Sequence, residues 1–268
     1  MTILPTHQAV ELPGGLTIPY LEQGAPDGIP MILLHGITDS HRSYEPVLAA
    51  LPGGIRAFAV TARGHGDAGK PHAGYAAADL AGDVIAFMDA LAIDRAIVVG
   101  HSMGSWTAQR VAGTHPERVR GVVLAGAFAT FRDRPEMQEL HAEFRDLSDP
   151  IDPGYARAWQ ESTLARPVPE TFMAVIVEET RKPPARVWEA AFGGLLDDAP
   201  ERIGTITAPT LLAWGDRDAF VPRADQDALL ARIQDAELEV YAGAGHALHW
   251  EEPERFAADL AEFAARLD

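Results

Sequence analysis

The chain has no cysteine, which excludes disulfides, thiolate metal ligands and a cysteine nucleophile together. Lysine is scarce: Lys70 and Lys182 are the only two, and the other basic side chains are arginines. That shortage and the heavy use of alanine read as compositional bias without a functional message. Positive charge is short overall. Lys and Arg number 22 against 39 Asp and Glu, for a formal net charge of −17. Such a surface does not neutralise a phosphate backbone and is repelled by an anionic membrane, so neither nucleic acid nor membrane is an expected partner. No apolar run approaches the ~20 residues that span a bilayer. The opening residues Met1 to Gln8 carry neither a basic start nor an apolar h-region. The expectation is a cytoplasmic protein, monomer or homodimer, whose partner is a small-molecule substrate.

What is present is a substantial core. With 268 residues and 47% hydrophobic content, the chain suits one large α/β domain or a core domain with an inserted lid. Gln8 to Leu12 and Leu16 to Glu22 read as a hairpin turned at Pro13-Gly14-Gly15. Six further strand runs follow: Met31 to Leu34, Ile55 to Val60, Ala96 to Val99, Val119 to Leu124, Thr210 to Trp214 and Leu238 to Tyr241. Several are apolar on both faces, as buried parallel strands require. Helical periodicity fills the gaps at Tyr44 to Leu51, Asp79 to Leu91, Ser105 to Thr114, Arg223 to Ala231 and Pro253 to Arg266. From about Thr130 to Gly204 no strand run appears. That stretch reads as four short helices broken by prolines: Glu136 to Asp146, Tyr155 to Ala165, Pro169 to Thr180 and Ala185 to Leu196. The expected division is a core of residues 1–129 and 205–268 with a helical cap at 130–204.

Directly after the apolar run Ala96 to Val99 comes Gly100-His101-Ser102-Met103-Gly104. A serine with glycine two residues to either side, between strand and helix, is the nucleophile-elbow pattern. A serine hydroxyl needs a general base. His246, in Gly243-Ala-Gly-His-Ala247 past the last strand, stands on the sheet edge where open α/β sheets place their sites. Imidazole is the side chain whose proton exchange suits neutral pH. The base needs a carboxylate to hold its tautomer. The segment Trp214-Gly-Asp-Arg-Asp218 offers two: Asp218 is preferred because it lies further into the loop, and Asp216 suits a turn-capping role. The stretch after the sixth strand, Ala125-Gly-Ala-Phe128, carries no acid. Chain order is therefore Ser102, Asp218, His246. For an oxyanion hole, one backbone N–H is expected from Met103 at the helix start and one from Ile37 in His35-Gly-Ile-Thr-Asp39.

His246 and His249 have a metal-like spacing, but no third ligand accompanies them, and neither metal nor cofactor is expected. His101 is expected to point away from substrate, and His35 and His65 to be structural. Candidate pocket residues are His35, Trp159, Phe172, Trp188 and His249, with Phe192 a further aromatic of the insertion; packing the insertion's own small core is the competing role for its aromatics.

These residues together resemble the α/β-hydrolase superfamily, through His35-Gly36, Arg63-Gly-His-Gly66, the Ser102 pentapeptide, Gly215-Asp-Arg-Asp218 and Gly245-His246. The resemblance covers nearly the whole chain outside the insertion. It implies an eight-stranded, mostly parallel sheet with a helical cap after the sixth strand, and it supports Asp218 as acid and Ile37 and Met103 as oxyanion donors. Within the superfamily the chain is similar to small capped esterases, cofactor-free haloperoxidase-like enzymes and C–C bond hydrolases. Serine at 102 separates it from haloalkane dehalogenases and epoxide hydrolases, which use aspartate there. Ser105 departs from a second glycine common in relatives. The expected activity is hydrolysis of a carboxylic ester through an acyl-enzyme. A C–C bond hydrolase or lactonase with the same triad is one alternative, and a non-catalytic ligand receptor on the same fold is the other.

Overall fold

The computed structural model describes residues 5–197 and 200–267. The first residues of the segment read for a leader (1–4), residues 198 and 199 of the expected insertion, and Asp268 lie outside the described residues. Strands β1 (Thr6–Leu12) and β2 (Leu16–Gln23) form the expected hairpin, with Leu12 opposite Leu16. Then follow β3 (Ile29–Leu34), α1 (Glu45–Ala50), β4 (Ile55–Val60), α2 (Ala77–Ala90), β5 (Ala96–His101), α3 (Met103–Thr114) and β6 (Val119–Ala125). Among the described residues four α-helices, α4 (Pro135–Arg145), α5 (Pro153–Ser162), α6 (Glu170–Thr180) and α7 (Ala185–Asp197), and a 3₁₀ helix (Pro200–Thr205) separate β6 from the next strand. The chain returns to the sheet with β7 (Thr210–Gly215), α8 (Arg223–Leu230) and β8 (Ala236–Tyr241), then ends in α9 (Leu248–Glu251) and α10 (Pro253–Ala265).

The eight strands make one sheet in the order β1-β2-β4-β3-β5-β6-β7-β8. β1 and β2 run antiparallel to their neighbours, and the other pairings are parallel. Burial explains the apolar runs. Every residue of β5 and of β7 is buried, because helices cover both faces of a sheet built from crossovers. Val84, Phe87 and Met88 of α2, Val111 of α3 and Leu229 of α8 pack on one face. Val47 and Leu48 of α1 and Leu260 and Phe263 of α10 pack on the other. A third cluster joins the insertion to the sheet edge, with Phe144 and Trp188 of the insertion against Ile37, Met103 and Phe128.

Differences from the expected elements are local. β5 runs two residues past Val99, to His101, because strand pairing with β6 continues to His101 opposite Ala125. The helix after β3 begins as a 3₁₀ turn (His41–Tyr44) capped by Ser40. α5 starts where Asp152 accepts the Tyr155 N–H and Pro153 takes the first helical position, and it stops at Ser162 rather than Ala165. The four-residue α9 has no counterpart in the sequence periodicity.

Candidate active site

The C-terminal ends of β3, β5, β6, β7 and β8 share one edge of the sheet, so the loops after them converge. At the end of β5 the backbone turns into α3 through Ser102, whose φ of +52° and ψ of −115° place it in a region that side chains rarely adopt. The flanking glycines allow this. A β-carbon on Gly100 would lie 2.1 Å from the Gly104 oxygen, and one on Gly104 would lie 2.0 Å from the Leu34 oxygen. No L side chain fits either position. The same contact presses the first turn of α3 against the end of β3 at Leu34, three residues before Ile37. The Ser102 N–H donates to the Ala125 oxygen at 3.0 Å, tying the turn to β6.

After β7, the Asp218 carboxylate accepts the Phe220 and Val221 N–H groups on Oδ1 at 2.8 and 2.9 Å. Its other oxygen, Oδ2, accepts from His246 Nδ1 at 2.8 Å. The Asp218 side chain is fully buried and that of His246 nearly so. A proton on Nδ1 leaves Nε2 as the free base nitrogen. Asp216 instead accepts the Gly243 N–H at 2.6 Å and closes the turn after β8. Where β6 offers no acid, it offers space. Gly126 has φ +53°, and a β-carbon there would come 3.0 Å from the His246 ring.

Ser102 and His246 line one narrow cavity. Its apolar walls include Ile37, Phe131, Met137, Trp159, Phe192, Leu195, Phe220 and Trp250, and among the described residues no lysine or arginine lines it. Of the five candidate pocket residues, Trp159 lines this cavity. The other four do not, each for a packing reason. His35 is buried behind the loop, with its ring nitrogens bonded to the Gly36 oxygen and the Ala62 N–H. Trp188 is fully buried in the insertion's core, edge-on to Phe144. Phe172 packs edge-on to the ring of Trp250, which stands between it and the cavity wall. His249 is fully buried between His101 and Tyr44. Phe192 does line the cavity.

His101 is among the residues that border the cavity, and its ring packs against the rings of His246 and His249 with Nε2 3.0 Å from the His246 oxygen. Burial holds the imidazoles of His35 and His101 well below the ordinary range and that of His249 at about 3, so all three rings are neutral at pH 7. Asp39, Gln160 and Thr163 border the cavity and were not singled out in the sequence. A signal for the last two existed: Ala156, Trp159, Gln160 and Thr163 form one helical stripe, with a polar side chain where an apolar one is expected. Burial pushes the Asp39 carboxyl well above the usual carboxylate range, against hydrogen bonds from Gln160 and the Gly36 backbone. Among the described residues no group of three or more His, Cys, Asp or Glu side chains could hold a metal ion. None of the described helices is long and apolar enough to cross a membrane.

The sheet order and the serine turn at the end of β5 define the α/β-hydrolase architecture. The alpha/beta hydrolase family model matches residues 31–259, and the chain belongs to that family. Its activity class is hydrolysis. It is similar to the AB hydrolase superfamily protein YisY of Bacillus subtilis, at 29% identity over 254 residues, covering 88% of this chain and 92% of the relative. Among solved structures it is similar to an esterase from Exiguobacterium antarcticum, with TM-score 0.87 and 23% identity, covering 96% of this chain and 99% of that one. It is also similar to an E-2-(acetamidomethylene)succinate hydrolase, with TM-score 0.84 and 25% identity, covering 97% of this chain and 99% of that one.

Proposed function

We propose that the protein is a serine hydrolase of compact, uncharged carboxylic esters, working through an acyl-enzyme. The observation that carries this reading is the 2.8 Å bond from His246 to Asp218, with Ser102 on its elbow in the same cavity. Ser102 Oγ attacks the ester carbonyl while His246 Nε2 takes its proton. Asp218 holds the ring and stabilises the imidazolium. The Ile37 and Met103 N–H groups receive the oxyanion. His246 then gives the proton to the departing alkoxide, and the alcohol leaves. Water, deprotonated by the same nitrogen, attacks the acyl-enzyme, releases the acid and returns Ser102 to its hydroxyl form.

The apolar walls and the lack of a lysine or arginine among them favour a neutral acyl group over a dicarboxylate. A buried carboxylate on the substrate would find no cation to offset its desolvation. The test is hydrolysis of p-nitrophenyl acetate and butyrate, with a simple lactone and a vinylogous diketone alongside, and labelling by a fluorophosphonate. The parent is expected to turn over the esters and to be labelled. Ser102→Ala is expected to lose labelling and at least about 10³-fold in kcat. Equal turnover by Ser102→Ala overturns the serine mechanism. Preference for the lactone or diketone overturns the ester assignment, and ligand binding without labelling or turnover points to a receptor.

A further inference from the structure

We propose that Gln160 of α5 is a positioning residue for the reaction, and that the segment Trp159–Ala165 braces the oxyanion loop against the base loop. This rests on the serine-hydrolase reading above. It assigns the insertion a part in building the site as well as in covering it.

At its upstream end the segment holds the oxyanion loop. Gln160 is buried, and its Nε2 lies 2.8 Å from Asp39 Oδ1, 3.2 Å from Thr38 Oγ1 and 2.7 Å from Thr180 Oγ1 of α6. Trp159 Nε1 donates to the same Thr38 hydroxyl at 3.0 Å. The loop needs this support. Thr38 has φ +69°, a left-handed conformation that is strained for a β-branched residue. The oxygen of the Gly36–Ile37 peptide lies 2.7 Å from His35 Nδ1 and accepts the Asp39 N–H at 3.2 Å, so the aim of the Ile37 N–H depends in part on where Asp39, the residue Gln160 grips, is held.

At its downstream end the same segment holds the base loop. The Ala247 N–H donates to the Thr163 oxygen at 3.1 Å. The Glu251 carboxylate, its side chain fully buried, accepts the N–H groups of both Ala165 (2.8 Å) and Gly245 (3.0 Å) on one oxygen. The approach is so close that a β-carbon on Gly245 would lie 2.6 Å from the Ala165 nitrogen. His246 therefore sits between two residues, Gly245 and Ala247, whose backbones are tied to the stretch that grips Thr38 and Asp39. Displacing α5 would move the oxyanion donor and the base together.

The experiment compares Gln160→Leu, Gln160→Glu, the double variant Asp39→Asn with Gln160→Glu, and a control on the outer face of α5, Arg157→Ala, an exposed partner of Glu161 and Glu170. Each is measured for kcat and KM on p-nitrophenyl acetate, for the rate of fluorophosphonate labelling, and for Tm. Gln160→Leu is expected to lose tenfold to a hundredfold in kcat and in labelling rate, with KM within about threefold. That is below the loss for deleting an oxyanion donor outright, about 10²–10³. Gln160→Glu is expected to lose as much, since it puts a second acceptor against Asp39. The double variant reverses donor and acceptor across the same contact and is expected to recover at least half of the lost activation free energy. Arg157→Ala is expected to match the parent.

Gln160→Leu with parental kcat overturns the inference, as does a loss that falls on KM or Tm alone, or a double variant no better than Gln160→Glu. If the parent itself is not labelled, the serine-hydrolase reading fails and the inference falls with it. If the parent is labelled and Gln160→Leu is labelled equally fast, the inference alone fails.

Discussion

The sheet with its edge loops and the four-helix insertion between β6 and β7 solve different problems. In the sheet, geometry is set by backbone contacts that tolerate no atom more. The carbonyls of Leu34 and Gly104 lie 2.0 and 2.1 Å from where β-carbons on Gly104 and Gly100 would stand. Asp218 is locked by two backbone N–H groups before it reaches His246. In the insertion, geometry is set by side chains packing on one another. Phe144 stands edge-on to Trp159, Trp188 and Phe192 at ring distances of 5.2–5.3 Å. Backbone-defined geometry gives one answer for the position of a functional group, whereas aromatic packing can be re-cut by substitution with modest cost. The first region suits chemistry and the aromatic packing of the second suits choice of substrate, apart from the segment Trp159–Ala165, which is hydrogen-bonded to the loops of the first.

Changing one residue in each region tests that contrast. The largest effect is expected from Asp218→Asn. The amide can hold His246 only in the wrong tautomer, so kcat should fall by roughly 10³–10⁴ with KM little changed. Stopped-flow or steady-state rates on p-nitrophenyl acetate measure this, and a fall confined to KM would break the division of labour.

Acid should act on the sheet side next. Buried His41 and His65 are held down to about 4 and His249 to about 3, with burial the main cause in each, and His35 and His101 are lowered in the same way. These rings are neutral when folded but accept a proton near pH 6.5 when unfolded. Their contribution is thus fully present above about pH 6.5 and is lost as pH falls toward 4, at up to about 1.4 kcal/mol per pH unit for each ring. Asp39, raised by burial, acts in the opposite sense, since a carboxyl easier to protonate when folded gains stability as pH falls, so a net loss in that window belongs to histidine. Calorimetry should find Tm at pH 5 at least about 10 °C below that at pH 7.5; a flat Tm would contradict the burial argument.

Smaller effects belong to the aromatics of the insertion. Phe192→Ala opens the cavity wall and should shift preference toward the longer acyl chain by about tenfold in the butyrate-to-acetate ratio of kcat/KM. Phe172→Ala, whose ring packs on the far side of Trp250, should leave that ratio within about twofold. If the two variants behave alike, the insertion does not sort substrates through its cavity-lining aromatics.

Much of this was legible before any coordinates. Parallel strands announced themselves as runs apolar on both faces, and parallel strands place the loops after them on one edge. A pentapeptide, an Asp-containing loop and a Gly-His dipeptide in the right chain order were therefore bound to converge there. Asp216 and Asp218 were separable by their distance along the loop. The pocket was far less legible. Trp159, Trp188 and Phe192 all lie on apolar stripes of short helices, and periodicity says that a stripe faces inward without saying what it meets. His249 and His101 were ambiguous because a buried histidine and a working one have the same local sequence.

The order of the elements, the edge of the sheet where the polar motifs collect and the backbone turn at Ser102 are readable from the chain alone, because they follow from local periodicity and from steric limits within a few residues. It took the packed fold to show that Trp188 fills a core while Trp159 meets the cavity, that Gly126 makes room for the His246 ring, and that Gln160 reaches Asp39 across 121 residues of chain. Those outcomes depend on how separate helices dock, and docking is settled by shape and hydrogen-bond partners that no single segment carries.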